Sequence, residues 1–265
     1  MRGSMNIIMV SIKDIKNEGL QRFIKYHLLY LARSKVDEIK DNIIFNLLKF
    51  DPNKKAYLIS MQYKEIEKAL GGANKFRLLI PSIRPAQLES EFIKFSKILR
   101  SKNVKNILEI GTGSGGTLYL FSQLSDKKAK IISVDLRHPS WKIDFYNKLV
   151  RPSQKLFLVG GDSHRIQTLN KIKRILKNQK LDLLFIDGDH SYKGVKSDFE
   201  MYKNLVKKGG VIAFHDIAAG YIINPEWAGV NKFWNEVKNK YETTEIIESK
   251  KQRGFGIGVI FYDGK

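Results

Sequence analysis

The sequence predicts an α/β fold, a doubly wound and mainly parallel sheet, and three observations predict it. From residue 86 onward, apolar runs of strand length alternate with amphipathic stretches of helix length. The first run feeds a glycine-rich turn, ILEIGTGSGG at 107–116. Later runs end on acids or histidine, at Asp135, Asp187 and His215-Asp216. That carboxyl edge is where open α/β sheets bind ligands.

The elements follow in order. Residues 1–4, ahead of Met5, are expected to be a vector-derived leader. Residues 5–80 predict a mainly helical extension. Its apolar residues recur at Phe23, Ile24, Leu28 and Leu31, then at Ile39, Ile43 and Leu47. Asp51-Pro52-Asn53 is a turn, 56–61 a short strand, and 63–70 a helix closed by Gly71-Gly72. Pro81 and Pro85 bracket a break, so the second domain is placed at 81–265. The extension carries no chemical motif; covering the active site and forming a dimer surface both fit it.

In the second domain helices are expected at 87–100, 116–124, 141–149, 163–177, 195–205 and 230–239. Strands are expected at 106–110, 130–134, 155–159, 182–186 and 210–214. The run 183–186 is apolar without alternation, as in a strand buried on both faces. Residues 243–248 and 255–262 follow each other without a crossover helix, which predicts an antiparallel hairpin at the sheet edge.

Composition narrows the chemistry. Of 265 residues none is cysteine, which removes disulfides, thiolate metal sites and cysteine nucleophiles and suits a reducing cytoplasm. No apolar run approaches the ~18 residues of a membrane span. The net charge of +20 leaves nucleic acid open as a partner, but the excess is spread, +7 over residues 1–80 and +13 over 81–265. Its densest block, 171–180, carries Ile172, Ile175 and Leu176 at helical spacing, as an amphipathic helix with a charged outer face would.

Four motifs carry chemistry. In the glycine loop, Gly111, Gly113 and Gly116 let backbone amides approach a ligand, with Ser114 between them. Glu109, two residues ahead, would repel a pyrophosphate and suit an ammonium or a positive sulfur. Asp135 ends the next strand about 20 residues on, where an acid accepts ribose hydroxyls; a helix cap is the alternative. Asp162 and Ser163 follow the third strand, where Asp162 could receive an adenine amino group or cap the next helix. Finally, Asp187 ends one strand and His215-Asp216 the next. Neighbouring strands ~4.8 Å apart would bring them together as a divalent-cation site. Carboxylates suit Mg²⁺ or Mn²⁺, and a histidine ligand shifts the preference toward Mn²⁺, Fe²⁺ or Zn²⁺. His190, three residues past Asp187, could serve as general base, because a free imidazole titrates near 6.5.

Together these residues resemble the class I S-adenosylmethionine-dependent methyltransferases, and more closely the cephalosporin hydroxylase-like or macrocin-type sugar O-methyltransferase group. The resemblance lies in LEIGTGSGGT at 108–117, ISVD at 132–135, GDSH at 161–164, FIDGDHSY at 185–192 and GGVIAFHDI at 209–217. It implies a Rossmann-like sheet of seven strands with an antiparallel last strand. It implies S-adenosylmethionine as cofactor, with Glu109, Gly111 and Gly113 around its methionine part, Asp135 on the ribose and Asp162 near the adenine. Asp187, His215 and Asp216 fall where metal-dependent members hold their cation, and His190 where they place a base. Those relatives have Asp-Asn or Glu-Asp where this chain has His215-Asp216. A small-molecule or glycan hydroxyl is the expected acceptor. Three other readings stand beside this one: a nicotinamide dehydrogenase, an RNA ribose methyltransferase and a non-catalytic cofactor-binding protein.

Overall fold

A computed structural model describes residues 87–138, 140–218, 229–249, 252 and 254–265. The leader, the expected extension and most of the stretch 218–228 lie outside those residues. All described residues belong to the second of the chain's two compact units, 60–265.

The order is α1 (Glu89–Lys102), β1 (Asn106–Ile110), α2 (Gly116–Leu124), β2 (Lys130–Asp135), α3 (Ser140–Leu149), β3 (Lys155–Gly160) and α4 (Ile166–Leu176). There follow β4 (Leu181–Ile186), α5 (Tyr192–Tyr202), β5 (Val206–His215), α6 (Gly229–Val237), β6 (Glu242–Ile246) and β7 (Ile257–Phe261). The seven strands form one sheet in the order β3-β2-β1-β4-β5-β7-β6. Only β7 runs antiparallel, pairing with both β5 and β6. The expected terminal hairpin therefore exists, but its second strand is interior and its first is the edge.

All six residues of β4 are buried, as a central strand between two helical layers requires. On one face Phe185 packs between Phe95 of α1 and Phe121 of α2, with ring centroids 6.1 and 5.1 Å away. Each such ring contributes roughly 1.5–3 kcal/mol by leaving water. On the other face Leu184, Ile186 and Phe214 meet Ile172 of α4, Phe199 of α5 and Phe233 and Trp234 of α6.

Two helix starts differ from expectation, each for a local reason. α4 begins at Ile166, because Asp162 folds a turn of its own: its Oδ1 accepts the His164 amide at 2.9 Å. α5 begins early, at Tyr192, because the Ser191 hydroxyl accepts the Gly194 amide at 3.0 Å as an N-cap. That helix also ends early, passing through a 3-10 turn at Lys203–Leu205 into a β5 four residues longer than expected at its start.

Parallel register sets the functional edge. Ile110 lies opposite both Val134 and Ile186, and Ile186 opposite Phe214. Gly111, Asp135, Asp187 and His215 therefore emerge side by side.

Candidate active site

Asp187 leaves β4 and meets three partners. His215 at the end of β5 places Nδ1 3.1 Å from Asp187 Oδ1. His190 returns from the β4–α5 turn with Nε2 3.4 Å from the same oxygen. Gln87, just ahead of α1, donates Nε2 to the other oxygen at 2.9 Å, while its own Oε1 accepts the Thr117 hydroxyl at 3.1 Å. His190 closes the cluster by placing Nδ1 2.9 Å from Asp216 Oδ2. Asp189 stays outside: its carboxylate accepts the Ser191 amide at 2.9 Å and shapes the turn.

Among the described residues, Asp187, His190 and Asp216 could hold a cation, each offering one atom within 4.8 Å of the others. The sequence grouped Asp187 with His215 and Asp216 instead. In the structure His215 is 2% exposed, its Nδ1 faces the two carboxylates, and its Nε2 is buried with no hydrogen bond among the described residues. It lies behind the cluster, and the more open His190 takes the third place. Two carboxylates and an imidazole are a donor set that suits Mg²⁺, Mn²⁺, Fe²⁺ or Zn²⁺.

Charge pairing dominates here. Burial by itself would raise the Asp187 carboxyl, but His215 and His190 hold it well below the usual carboxylate range. Burial likewise opposes a low value at Asp216, and the bond from His190 overcomes it. Burial disfavours charge on His190, yet hydrogen bonds to Asp187 and Asp216 push its pKa up to about 10. His215 is raised too, its burial outweighed by Asp187. Thus His190 differs from the free imidazole assumed for a base: between its two carboxylates it keeps its proton at neutral pH.

Asp216 is held in the left-handed region, φ 66°, which aspartate tolerates better than most residues. Its Oδ1 accepts the Phe255 amide at 3.0 Å. The β6–β7 loop supplying that amide is anchored by Glu91 of α1. The fully buried Glu91 carboxylate accepts Gln252 Nε2 at 2.6 Å and the Gly256 amide at 2.9 Å.

The glycine loop forms the other half. Glu109 is fully buried. Its Oε2 accepts the Ser133 hydroxyl at 2.5 Å, and its Oε1 has no hydrogen-bond partner among the described residues. Burial raises its pKa to about 8, against the Ser133 bond and with help from Asp187 and Asp135. Ser133 Oγ lies 2.7 Å from Thr112 Oγ1, which lies 2.9 Å from His138 Nε2. Burial lowers the His138 pKa. Asp135 Oδ2 accepts the amides of Thr112 and Gly113 at 3.1 and 3.2 Å, so it braces the loop from below. Leu136, next in line, is 75% exposed. A Cβ on Gly113 would meet nothing within 4 Å among the described residues, which leave space open above it. Ser114 sits half-buried in the turn before α2.

Asp162 and Ser163 lie past β3 at the same edge. Asp162 does not cap α4; its Oδ2 pairs with Arg165 Nε at 3.2 Å, and the Ser163 carbonyl accepts the Tyr202 hydroxyl at 2.6 Å. An orphaned, buried carboxylate oxygen and open space over Gly113 fit a ligand with a cationic group and a narrow body. Those features match what S-adenosylmethionine would bring.

Sequence reasoning missed Gln87, Glu91, Ser133 and His138. Glu91 had a signal: it stands four residues before Phe95 and one before Phe92, an acid in register with the buried face of α1. Ser133 had a weaker one, as a polar residue inside an otherwise apolar strand.

Residues 108–217 match a family model described as a methyltransferase domain. An uncharacterized protein of Acanthamoeba polyphaga mimivirus, R132, is 35% identical over 115 residues, 41% of this chain and 50% of that protein. The match thus spans half the length of that relative. Among solved structures, an O-methyltransferase from Bacillus cereus in complex with SAH aligns at a TM-score of 0.53 and 16% identity, covering 76% of this chain and 91% of that one. The O-methyltransferase TomG from Streptomyces achromogenes, involved in tomaymycin synthesis, aligns in complex with SAM at 0.54 and 14%, covering 87% and 96%. At these identities the two structures establish a shared fold.

Proposed function

We propose that the chain is a class I S-adenosylmethionine-dependent methyltransferase, a reading supported by the match of residues 108–217 to a methyltransferase-domain model, and that it methylates a hydroxyl oxygen of a sugar or small metabolite, with a divalent cation assisting. The observation that carries this reading is the meeting of Asp187, His190 and Asp216 beside Glu109 and the open space over Gly113. A cofactor seated over Gly113 would have its ammonium within reach of the orphaned Glu109 oxygen, its ribose toward Asp135 and its adenine between Leu136 and Asp162.

The activated methyl already resides on the sulfonium, so the protein's task is alignment of the attacking oxygen. Asp187, His190 and Asp216 would hold the cation, which when bound would neutralise the carboxylates and lower the acceptor hydroxyl's pKa. Gln87 and His215 keep Asp187 fixed, and the Glu91-anchored loop does the same for Asp216. Were Asp187 and Asp216 alone to hold the cation, their charge would be neutralised and His190 could instead take the acceptor's proton; as a ligand it could not do both.

Calorimetric titration with S-adenosylhomocysteine, with and without Mn²⁺, tests the cofactor. Mass spectrometry of sugar and small hydroxyl acceptors then tests the reaction. Absence of binding under both conditions would overturn the reading, as would binding followed by methylation of a nitrogen. The net charge of +20 favours a second reading, RNA ribose methylation, which salt-sensitive RNA binding would support. Residues 5–80 we assign to a cover or dimer surface, and the place of action to the cytoplasm. No helix among the described residues is long and apolar enough to cross a membrane.

A further inference from the structure

Helix α5 carries a carboxylate in the middle of its apolar face. Asp198 lies among Val195, Phe199 and Tyr202 and is 0% exposed. Neither of its oxygens has a hydrogen-bond partner among the described residues. The charge that faces it comes from the turn after β3: His164 Nε2 stands 3.3 Å from Asp198 Oδ1. The other ring nitrogen, Nδ1, stands 3.6 Å from Asp162 Oδ1. One helical turn further along α5, Tyr202 donates its hydroxyl to the Ser163 carbonyl at 2.6 Å. Two successive turns of one helix thus grip residues 162–164.

An unpaired buried carboxylate costs far more than an ion pair returns. The arrangement is therefore stable with His164 as an imidazolium bridging two acids. The close approach of Asp198 raises the His164 pKa, burial opposes that, and Asp162 and Asp189 add to it. The charged groups around the ring are Asp198 from α5, Asp162 from its own turn and Asp189 from the turn ahead of α5. Arg165 occupies the far oxygen of Asp162.

We propose that Asp198 is a positioning residue for cofactor binding, acting through His164 to fix the 162–164 turn in the conformation that receives the adenine. This rests on the reading of Asp162 as the adenine-facing group. Neither Asp198 nor His164 needs to touch the cofactor. Their pairing removes a conformational cost that binding would otherwise carry. The grip holds only while the imidazole is protonated. The grip's contribution to cofactor affinity, read as the ratio of wild-type to His164→Asn affinity, should therefore be present at lower pH and be lost as pH rises through the elevated His164 pKa. Without Asp198 that loss moves to lower pH.

The test is calorimetric titration of the full chain with S-adenosylhomocysteine from pH 6 to 9.5, for wild type, His164→Asn, Asp198→Asn and the double variant. Each single change should weaken binding about tenfold at pH 7, the scale of a lost orienting contact. The double variant should bind no more weakly than Asp198→Asn, because the two residues act as one unit. His164→Asn should keep only the pH dependence that Glu109 contributes, and the additional fall with pH seen in wild type should shift downward in Asp198→Asn. Should Asp198→Asn fail to fold, His164→Asn, altered at a partly exposed ring, carries the test alone. Unchanged affinity in His164→Asn, or the same pH dependence in every protein, overturns the proposal. Failure of wild type to bind at all is a different result; it removes the cofactor reading and this inference with it.

Discussion

Gly111 is packed directly against the backbone carbonyl of Asp187: a Cβ at position 111 would collide with that oxygen. Gly111 donates its amide to Val134 at 2.8 Å, and Asp187 donates its own to Ile110 at 2.8 Å. The glycine loop and the acidic cluster are thus parts of one joint between three strands. At Gly111 φ is +96°, so a side chain is opposed by both strain and collision. Gly111→Ala should cost on the order of 3 kcal/mol of stability, read by denaturant unfolding. Gly113→Ala, at φ +51° and in open space, should cost only about 1 kcal/mol but weaken S-adenosylhomocysteine binding, because its methyl projects where the ligand would lie. Equal stability losses in the two variants would contradict this assignment.

Glu109 couples pH to folding and, on the proposed reading, to cofactor binding. Its folded pKa of about 8 exceeds the ordinary 4.5, so the folded chain keeps a proton that the unfolded chain gives up between those values. Its contribution to stability is complete below pH 4.5 and is lost as pH rises through 8. Glu109→Gln should therefore raise stability at pH 8.5, by on the order of a few kcal/mol, while weakening cofactor binding. Thermal unfolding at pH 5 and 8.5 compares the two proteins.

The same carboxyl predicts proton release on binding. A cationic group arriving beside it lowers its pKa, so at pH 7 S-adenosylhomocysteine should drive a proton into solution. Calorimetry in phosphate and in Tris would show different apparent enthalpies. Identical enthalpies would mean that Glu109 does not meet the ligand's ammonium.

For the cation, Mn²⁺ should raise the midpoint of thermal unfolding of wild type, and Asp187→Asn should abolish the shift, since it removes an anionic ligand from a set of three. His215→Gln should leave a shift that needs about ten- to a hundredfold more Mn²⁺, as expected of a group that orients ligands rather than binding. Loss of the shift in both alike would place His215 among the ligands.

Glu91→Gln should destabilise the chain by about 1–3 kcal/mol, because its amide nitrogen would face either the Gly256 or the Gln252 donor. Through the Phe255 amide on Asp216 it should also weaken Mn²⁺ binding. A variant as stable as wild type in urea would show that the loop is held by other contacts.

Much of this was legible beforehand, and the exceptions share a cause. The alternation of runs and the glycine turn yield the order of elements, since both depend on residues close in sequence. Adjacency of Asp187 and His215-Asp216 also follows, because parallel neighbours end together. What sequence hides is the direction of a side chain at a turn. Nothing local states that His215 points inward while His190 swings back between two acids, since that depends on the left-handed backbone at Asp216 and on Phe255 far along the chain. Buried polar contacts across distant elements, such as Gln87 on Asp187, are hidden for the same reason.

The interior position of β7 has a kinetic meaning. β6 hydrogen-bonds to β7 alone, so it cannot join the sheet by itself. Residues 257–261 must pair with β5, alone or as a hairpin with β6, before that edge is closed. Until then β5 has one ladder unpaired, and Asp216 lacks the backbone donor that Phe255 supplies. Completion of the acidic cluster should therefore be among the last steps of folding. A chain stalled before that insertion would carry an open sheet edge, with the aggregation risk such edges bring.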